Sequence, residues 1–229
     1  MKHLIFDCGG VMVWPRLGEW NIPFGALEIL GPRARDIYTS KYLTAHRTAV
    51  HFLDEDQLVP NVEAERHLRR KYVLSMNDLM DWQLTTLDIS RLADDFTDNI
   101  NRYGVFEDVA PWLKRWQSRY RLGMLSDAMP SILSFMDQWG ILGLFDAAVI
   151  STQVGATKPD LKMYSAITQK LDADPADCLF VDDRIDNLEG AVAAGMKAVQ
   201  MARSEFLPLT IWDGPVVNSF EALDRLIEA

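Results

Sequence analysis

Short apolar runs alternate with segments whose apolar residues recur at helical spacing over most of the chain. The runs are typical of buried strands and the longer segments of amphipathic helices. The predicted strands are His3–Phe6, Tyr120–Leu125, Ala147–Ile150, Cys178–Val181 and Ala198–Met201. The predicted helices are Pro111–Arg119, Pro130–Trp139, Leu161–Leu171, one that ends near Gly195, and Ser219–Ile227. Strands that alternate with such helices predict right-handed βαβ units and a doubly wound parallel sheet, an α/β fold.

Residues 14 to 105 break this alternation. They carry many charges and longer segments with helical spacing, such as Val62–Val73 and Leu79–Leu87, and few strand-like runs. The first strand cannot be stable alone, so it must join the sheet formed by the later strands. We therefore predict a catalytic core of residues 1–13 and 106–229, with an inserted α-helical cap domain at 14–105.

Composition and charge narrow the class of protein. At 229 residues, with 48% hydrophobic and 24% charged residues, the chain fits a soluble globular protein of one large domain or of a core domain plus a smaller insert. A net charge of -10 disfavours nucleic acid as a partner, because that binding depends on lysine and arginine. The apolar run Leu4–Phe6 is too short for a signal peptide, and no run approaches the roughly 20 residues of a membrane span. We expect a cytoplasmic protein; the oligomeric state is not predicted.

The two cysteines, Cys8 and Cys178, both lie in apolar runs. Two cysteines in a chain of this size do not make a disulfide framework. We therefore predict two buried free thiols and a reducing compartment.

Polar side chains follow each of the predicted strands that would meet at one edge of the sheet. In open parallel sheets, ligands bind at the carboxyl ends of the strands. Carboxylates converging there would repel one another unless a cation compensates them, and oxygen ligands of this kind favour Mg²⁺. The residues at these strand ends are Asp7, Ser126, Asp127, Lys158, Asp182 and Asp183.

Four short motifs at these strand ends resemble the haloacid dehalogenase superfamily, in particular its phosphatase-like branch with a helical cap after the first motif. The first two are Phe6-Asp7-Cys8-Gly9-Gly10-Val11 and Leu125-Ser126-Asp127. The third is Gly155-Ala156-Thr157-Lys158-Pro159-Asp160, and the fourth runs from Val181 to Met196 with Asp182-Asp183. Four motifs in this order are hard to produce by chance.

The resemblance implies a Mg²⁺-dependent phosphohydrolase that acts on a small phosphorylated metabolite, with a sugar phosphate as the leading candidate. Asp7 would attack phosphorus and form an aspartyl-phosphate. Lys158, Ser126 and Asp127 would bind the phosphate, and Lys158 would also keep Asp7 ionised. The metal ligands implied are Asp7, the backbone carbonyl of Gly9, Asp183, and Asp182 through a water.

Gly9 departs from the pattern, because phosphatases of this superfamily usually have a second aspartate there. That residue serves as metal ligand through its carbonyl and as general acid-base through its side chain; a glycine retains only the first role. Losing a positioned acid or base lowers rates by about 10²- to 10⁴-fold. We therefore expect an enzyme that prefers substrates with good leaving groups. The same glycine argues against a phosphomutase.

Two other functions stay open. The chain could be an idle binding or regulatory module that kept the fold after losing the acid. It could also be a metal-independent hydrolase that attacks carbon, as dehalogenases do, although such an enzyme has no use for the Asp182-Asp183 pair.

Several residues also have a purely structural interpretation. Asp7 alone would fit an Asx turn, and Ser126 or Asp127 a helix cap. Trp14 and Arg16 follow the first motif and are candidates for substrate contact, or simply for packing at the hinge. The basic cluster Arg66, Arg69, Arg70 and Lys71 is interpreted as a solvated helix face.

Overall fold

The computed structural model describes residues 1–54, 57–203 and 210–228. Within them, six strands form one parallel sheet in the order β5-β4-β1-β6-β7-β8, and β2 pairs with β3 in a separate antiparallel ribbon. The strands are β1 (His3–Phe6), β2 (Val13–Pro15), β3 (Tyr103–Val105), β4 (Arg121–Ser126), β5 (Ala147–Ile150), β6 (Cys178–Asp182), β7 (Lys197–Met201) and β8 (Val216–Val217). The predicted parallel sheet is confirmed, with β1 at its centre.

Helices cover both faces of the sheet and fill the predicted insert. They are α1 (Ala26–Leu30), α2 (Ser40–Ala49), α3 (Val62–Met80), α4 (Thr86–Asp98), α5 (Val109–Trp116), α6 (Ser131–Gln138), α7 (Ser151–Val154), α8 (Leu161–Leu171), α9 (Ile185–Ala193) and α10 (Phe220–Glu228). Short 3-10 segments occur at Gly31–Tyr38, Val50–Leu53, Ile100–Arg102, Leu142–Leu144 and Pro175–Asp177. Among the residues described, no helix combines the length and apolar character that crossing a membrane requires.

Two hydrophobic cores on opposite faces of the sheet explain why β1 is central. Along β1, side chains alternate between the faces, so Leu4 and Phe6 enter one core and Ile5 the other. On the first face Phe6 stacks on Trp116 with ring centroids 5.6 Å apart. All four residues of β1 are buried, as expected for a strand covered on both sides. This double layer of helices confirms the doubly wound α/β class.

The cap-region helix predicted over Leu79–Leu87 is wrong. Helix α3 ends at Met80, where Asp81 adopts a left-handed conformation with φ 57°. Helix α4 then begins at Thr86 with a capping box, in which the Thr85 hydroxyl accepts from the Asp88 backbone and the Asp88 carboxylate accepts from Thr85. The T-x-x-D pattern of this box was a readable signal for the break.

The helical insert has a hydrophobic cluster of its own, drawn from α1 to α4 and their connections. Met129, which follows β4, also joins this cluster. The ribbon of β2 and β3 pairs Val13 with Val105 where the insert leaves and re-enters the sheet domain. We propose on this basis that residues 14–105 are the cap and that the core is 1–13 and 106–229.

Both cysteines are buried and free, as predicted. Cys8 lies directly after the β1 carboxylate and Cys178 begins β6. Burial raises the pKa of both thiols above the ordinary value.

Candidate functional site

A cavity of about 490 Å³ lies at the carboxyl ends of β1, β4 and β6, between the sheet and the helical insert. Asp7 follows β1, Ser126 ends β4, and Asp183 follows β6, and all three side chains line the cavity. Because β1 lies between β4 and β6, the polar residues at the ends of these three neighbouring strands lie side by side at the cavity. Five of the six predicted strand-end residues line this cavity, whereas Asp182 is fully buried and is not among the described residues that line it.

Lys158 connects the groups on either side of β1. Its Nζ lies 2.6 Å from Asp7 Oδ1 and 2.7 Å from Asp182 Oδ2. The ammonium is buried, with 1% of the side chain exposed. Such short charge-assisted hydrogen bonds fix both carboxylates relative to the lysine. The prediction that Lys158 faces Asp7 agrees with this geometry.

Asp182 is fully buried and each of its oxygens is bound by the protein. Besides Lys158, the Asn187 amide Nδ2 donates to both Asp182 oxygens at 3.1 and 3.0 Å. The Arg184 backbone N–H donates to Asp182 Oδ1 at 2.9 Å. This carboxylate therefore acts as a fixed anchor between β6 and α9, and Asn187 is a positioning residue.

Asp183, by contrast, lies on the wall of the cavity and is supported from its backbone. The Gln200 side chain on β7 donates from Nε2 to the Asp183 carbonyl at 3.0 Å. Gly10 lies against the Asp183 carboxylate, since a Cβ at Gly10 would come within 2.6 Å of Oδ2. Gly10 also has φ +70°, a conformation that favours glycine. Asp183 can take this position only beside a residue without a side chain.

The charges in this cluster do not balance. Burial raises the pKa of Asp7, against the opposing effect of Lys158. Burial likewise raises the pKa of Asp183, and the carboxylates of Asp182 and Asp7 raise it further. Burial lowers the pKa of Lys158, but Asp182 and Asp7 outweigh it and hold that pKa well above the ordinary value. One ammonium thus faces three carboxylates, which would be stabilised in their ionised form by another cation.

The arrangement of the carboxylates fits a divalent metal. One oxygen each from Asp7, Asp182 and Asp183 lie within 4.8 Å of one another. Asp7 and Asp183 line the cavity and offer hard oxygen donors, which suit Mg²⁺ better than a soft transition metal. Asp182 is buried behind them, with both oxygens bound by the protein. The donor chemistry is therefore compatible with the predicted Mg²⁺ site.

Ser126 and Asp127 have different surroundings. Ser126 is buried and lines the cavity at the end of β4. The Asp127 carboxylate accepts a hydrogen bond from the Lys158 backbone N–H at 2.9 Å, so it positions the lysine loop. An ionised carboxylate cannot donate to phosphate oxygens. Any contribution of Asp127 to phosphate binding would come from its backbone N–H.

The space beside Gly9 is filled by Trp20 from the insert. A Cβ at Gly9 would lie 3.2 Å from both Cζ2 and Cη2 of the Trp20 ring. Trp20 also packs against Tyr103, with ring centroids 5.7 Å apart. A side chain at residue 9 would therefore require the Trp20 ring to shift by a few tenths of an ångström.

The candidate substrate residues Trp14 and Arg16 are not among the described residues that line the cavity. Trp14 packs across Gly104, where a Cβ would come within 2.4 Å of the indole. Arg16 is exposed and donates from Nε to the Tyr103 carbonyl at 3.0 Å. Both residues support the β2–β3 ribbon, which favours the hinge interpretation; their contact with substrate stays a prediction.

The interpretation of Arg69 as part of a solvated helix face is wrong. Arg69 is 6% exposed and lines the cavity together with Asn21. Its neighbours Arg66 and Arg70 do bind surface carboxylates, including Asp94. The signal was present in the sequence, because Arg69 lies on the same helical stripe as the buried residues Glu65, Tyr72, Val73, Met76 and Met80 of α3.

Comparison with known proteins places the chain in a family. A family model described as haloacid dehalogenase-like hydrolase matches residues 1–195. The chain belongs to this family. The matched segment includes the carboxylates and the lysine of the cavity.

Individual relatives agree with this assignment. A phosphatase of Mycobacterium tuberculosis, MT3486, is 34% identical over 102 residues, which cover 43% of this chain and about half, 47%, of that protein. A HAD phosphatase from Thermococcus onnurineus shares the fold with a TM-score of 0.64, 20% identity and coverage of 99% and 98% of the two chains. An L-2-haloacid dehalogenase from Xanthobacter autotrophicus shares it with a TM-score of 0.68, 17% identity and 100% and 99% coverage. At these identities the two structures support the fold alone.

Proposed function

We propose that this protein is a Mg²⁺-dependent phosphohydrolase that acts on a small phosphate monoester, a sugar phosphate or a similar metabolite. The observation that carries the proposal is the convergence of Asp7, Lys158 and Asp183 on one cavity of about 490 Å³. A cavity of this volume is large enough for a phosphate and a small organic group. The phosphatase name of the Mycobacterium tuberculosis relative supports the same reaction class.

In the proposed reaction, an Asp7 oxygen attacks phosphorus in line with the ester oxygen. The P–O bond to the leaving group breaks as the bond to Asp7 forms, and water later hydrolyses the aspartyl-phosphate. Lys158 holds the Asp7 carboxylate in place at 2.6 Å and contributes positive charge to the phosphate oxygens. Ser126, at the end of β4, would donate a hydrogen bond to them.

The metal would be held by Asp7, Asp183 and the Gly9 carbonyl, with Asp182 behind them. Bound Mg²⁺ would neutralise charge on the phosphate oxygens. Lys158 and Asn187 both donate hydrogen bonds to the Asp182 carboxylate and hold it in place. Asp182 would therefore support the metal ligands from behind.

Trp20 and Tyr103 line the cavity beside Gly9. Neither an indole nor a glycine at position 9 supplies an acidic proton to the departing oxygen at neutral pH. We therefore expect the fastest hydrolysis for esters whose departing oxyanion is a weak base, such as aryl and anomeric sugar phosphates.

Phosphate release from p-nitrophenyl phosphate and a panel of sugar phosphates tests the proposal. Wild type is compared with Asp7→Asn, in Mg²⁺ and in EDTA, and the exposed Asp137→Asn serves as the matched control. We expect turnover only with Mg²⁺, a loss of at least about 10³-fold in Asp7→Asn, and full activity in Asp137→Asn.

Turnover that survives EDTA or the loss of Asp7 would contradict this mechanism. Release of halide from 2-haloacids without metal would instead favour a hydrolase that attacks carbon. The Asp182–Asp183 pair argues against that alternative, because attack on carbon requires no cluster of carboxylates.

A further inference from the structure

The cavity has two chemically different ends. On the core side, the carboxylates of Asp7, Asp127 and Asp183 line it. On the side of the insert, the described lining residues include Arg69 and Asn21 but no carboxylate. The insert side of the cavity, which we call its remote end, therefore presents an amide and the guanidinium of Arg69, which pairs with the buried Glu65 behind it.

Arg69 is held rigidly at this remote end. Its guanidinium carbon lies 4.4 Å from the centroid of the buried Phe96 ring. Its Nη1 donates to Asn21 Oδ1 at 3.1 Å, and its Nε makes a long contact of 3.4 Å with Glu65 Oε1. The Glu65 carboxylate also accepts hydrogen bonds from Ser131 N and Oγ at 2.8 and 2.9 Å, so Arg69 is only one of its partners. The guanidinium is positioned by these groups with N–H donors to spare.

Asn21 adds a second donor with a fixed direction. Because its Oδ1 accepts from Arg69, the group that remains for a ligand is the amide Nδ2, which only donates. Asn21 is also tied at its backbone, where its carbonyl accepts from the Tyr72 hydroxyl at 3.3 Å. An arginine fork beside an amide donor matches an anionic acceptor with two oxygens.

We propose that Arg69 and Asn21 bind a carboxylate on the part of the substrate remote from the phosphate. The substrates would then be phosphate monoesters of small organic acids, which narrows the proposed function and rests on it. Such a substrate would span the cavity, with its phosphate at Asp7 and its carboxylate at Arg69 and Asn21.

Binding of phosphonates tests this inference separately from turnover. A phosphonate has a C–P bond in place of the P–O ester bond, so the proposed reaction does not cleave it. Calorimetry in Mg²⁺ compares propylphosphonate with phosphonoacetate, 3-phosphonopropionate and 4-phosphonobutyrate. We expect at least one carboxylate to bind about tenfold or more tightly than propylphosphonate. No preference for any of the three would overturn the inference. A clear preference in a protein that hydrolyses no phosphate ester would overturn the proposed function alone.

Two variants locate the preference. Arg69→Met and Asn21→Asp should each abolish it while leaving propylphosphonate binding unchanged, and Asn21→Asp keeps an acceptor for Arg69 and so the fold. The matched control is Arg66→Met, which removes ion pairs to Glu63 and Asp98 outside the cavity. Retained preference in both variants would overturn the inference. So would an equal loss for both kinds of ligand, which would place Arg69 at the phosphate itself.

Discussion

Installing an aspartate at Gly9 tests whether Trp20 excludes an acid from this site. The Gly9 backbone is not left-handed, so it does not oppose a side chain. The obstacle is the indole, 3.2 Å from the position of a Cβ, whereas carbon–carbon contacts are optimal at about 3.5 to 4.0 Å. The carboxyl group extends beyond Cβ, so the ring must move, and overpacking of this kind lowers the free energy of unfolding by about 1 to 3 kcal/mol.

We therefore expect Gly9→Asp alone to be destabilised by that amount and to gain little activity. In the Trp20→Ala background the same substitution should leave the free energy of unfolding nearly unchanged. It should also raise kcat/KM for an alkyl phosphate by up to about 10²-fold, the lower end of what a positioned acid contributes. Turnover of p-nitrophenyl phosphate should change little, because its leaving group needs no proton.

Urea unfolding of wild type, both single variants and the double variant completes the thermodynamic cycle. The steric argument requires a coupling of about 1 to 3 kcal/mol between the two positions. Additive effects within about 0.5 kcal/mol would refute it. So would a single Gly9→Asp variant as stable as wild type and as active on alkyl phosphates as the double variant.

Three further predictions follow from the site and its supports. Mg²⁺ at 100 times its Kd should stabilise the protein by about 2.7 kcal/mol, and Asp183→Asn should remove this shift in a thermal melt. Gly10→Ala should lower the free energy of unfolding by about 1 to 3 kcal/mol and weaken the stabilisation by Mg²⁺ in the thermal melt. The control Gly140→Ala, at φ +69° with open space around it, should keep the full stabilisation by Mg²⁺. Glu65→Gln should destabilise the protein by about 1 to 3 kcal/mol in urea, because its buried carboxylate accepts hydrogen bonds from the start of α6, and the exposed Glu63→Gln should have no effect.

The core half of the site could be predicted because a parallel sheet gives simple geometry. A buried strand reads as an apolar run, and the first polar residue after it marks the carboxyl end. Asp7 after Phe6 and Ser126 after Leu125 are both found this way, and β4 itself is displaced from its prediction by only one residue at each end. Gln200 could not be found in this way, because it reaches the Asp183 carbonyl through a side-chain contact from a different strand.

The cap half could not be predicted, because it depends on how the insert docks onto the sheet. Trp20 lies in a connection without periodicity, and only the docked structure brings it to Gly9. The ribbon of β2 and β3 was missed for a local reason, since strands of three residues show no period and one of them ends in Pro15. Arg69 was missed because its charge was given more weight than its place on the buried stripe of α3.

Glu65 connects the two halves of the cavity. Its fully buried carboxylate accepts hydrogen bonds from Ser131 at the start of α6, and α6 follows Ser126, the last residue of β4, and the loop that contains Asp127. The same carboxylate contacts Arg69 at the remote end. The group that docks the insert onto the core therefore also helps to orient the arginine. If the proposed chemistry resides in the core and substrate choice in the insert, a substitution at Glu65 should affect both, because its carboxylate contacts Ser131 of the core and Arg69 of the insert.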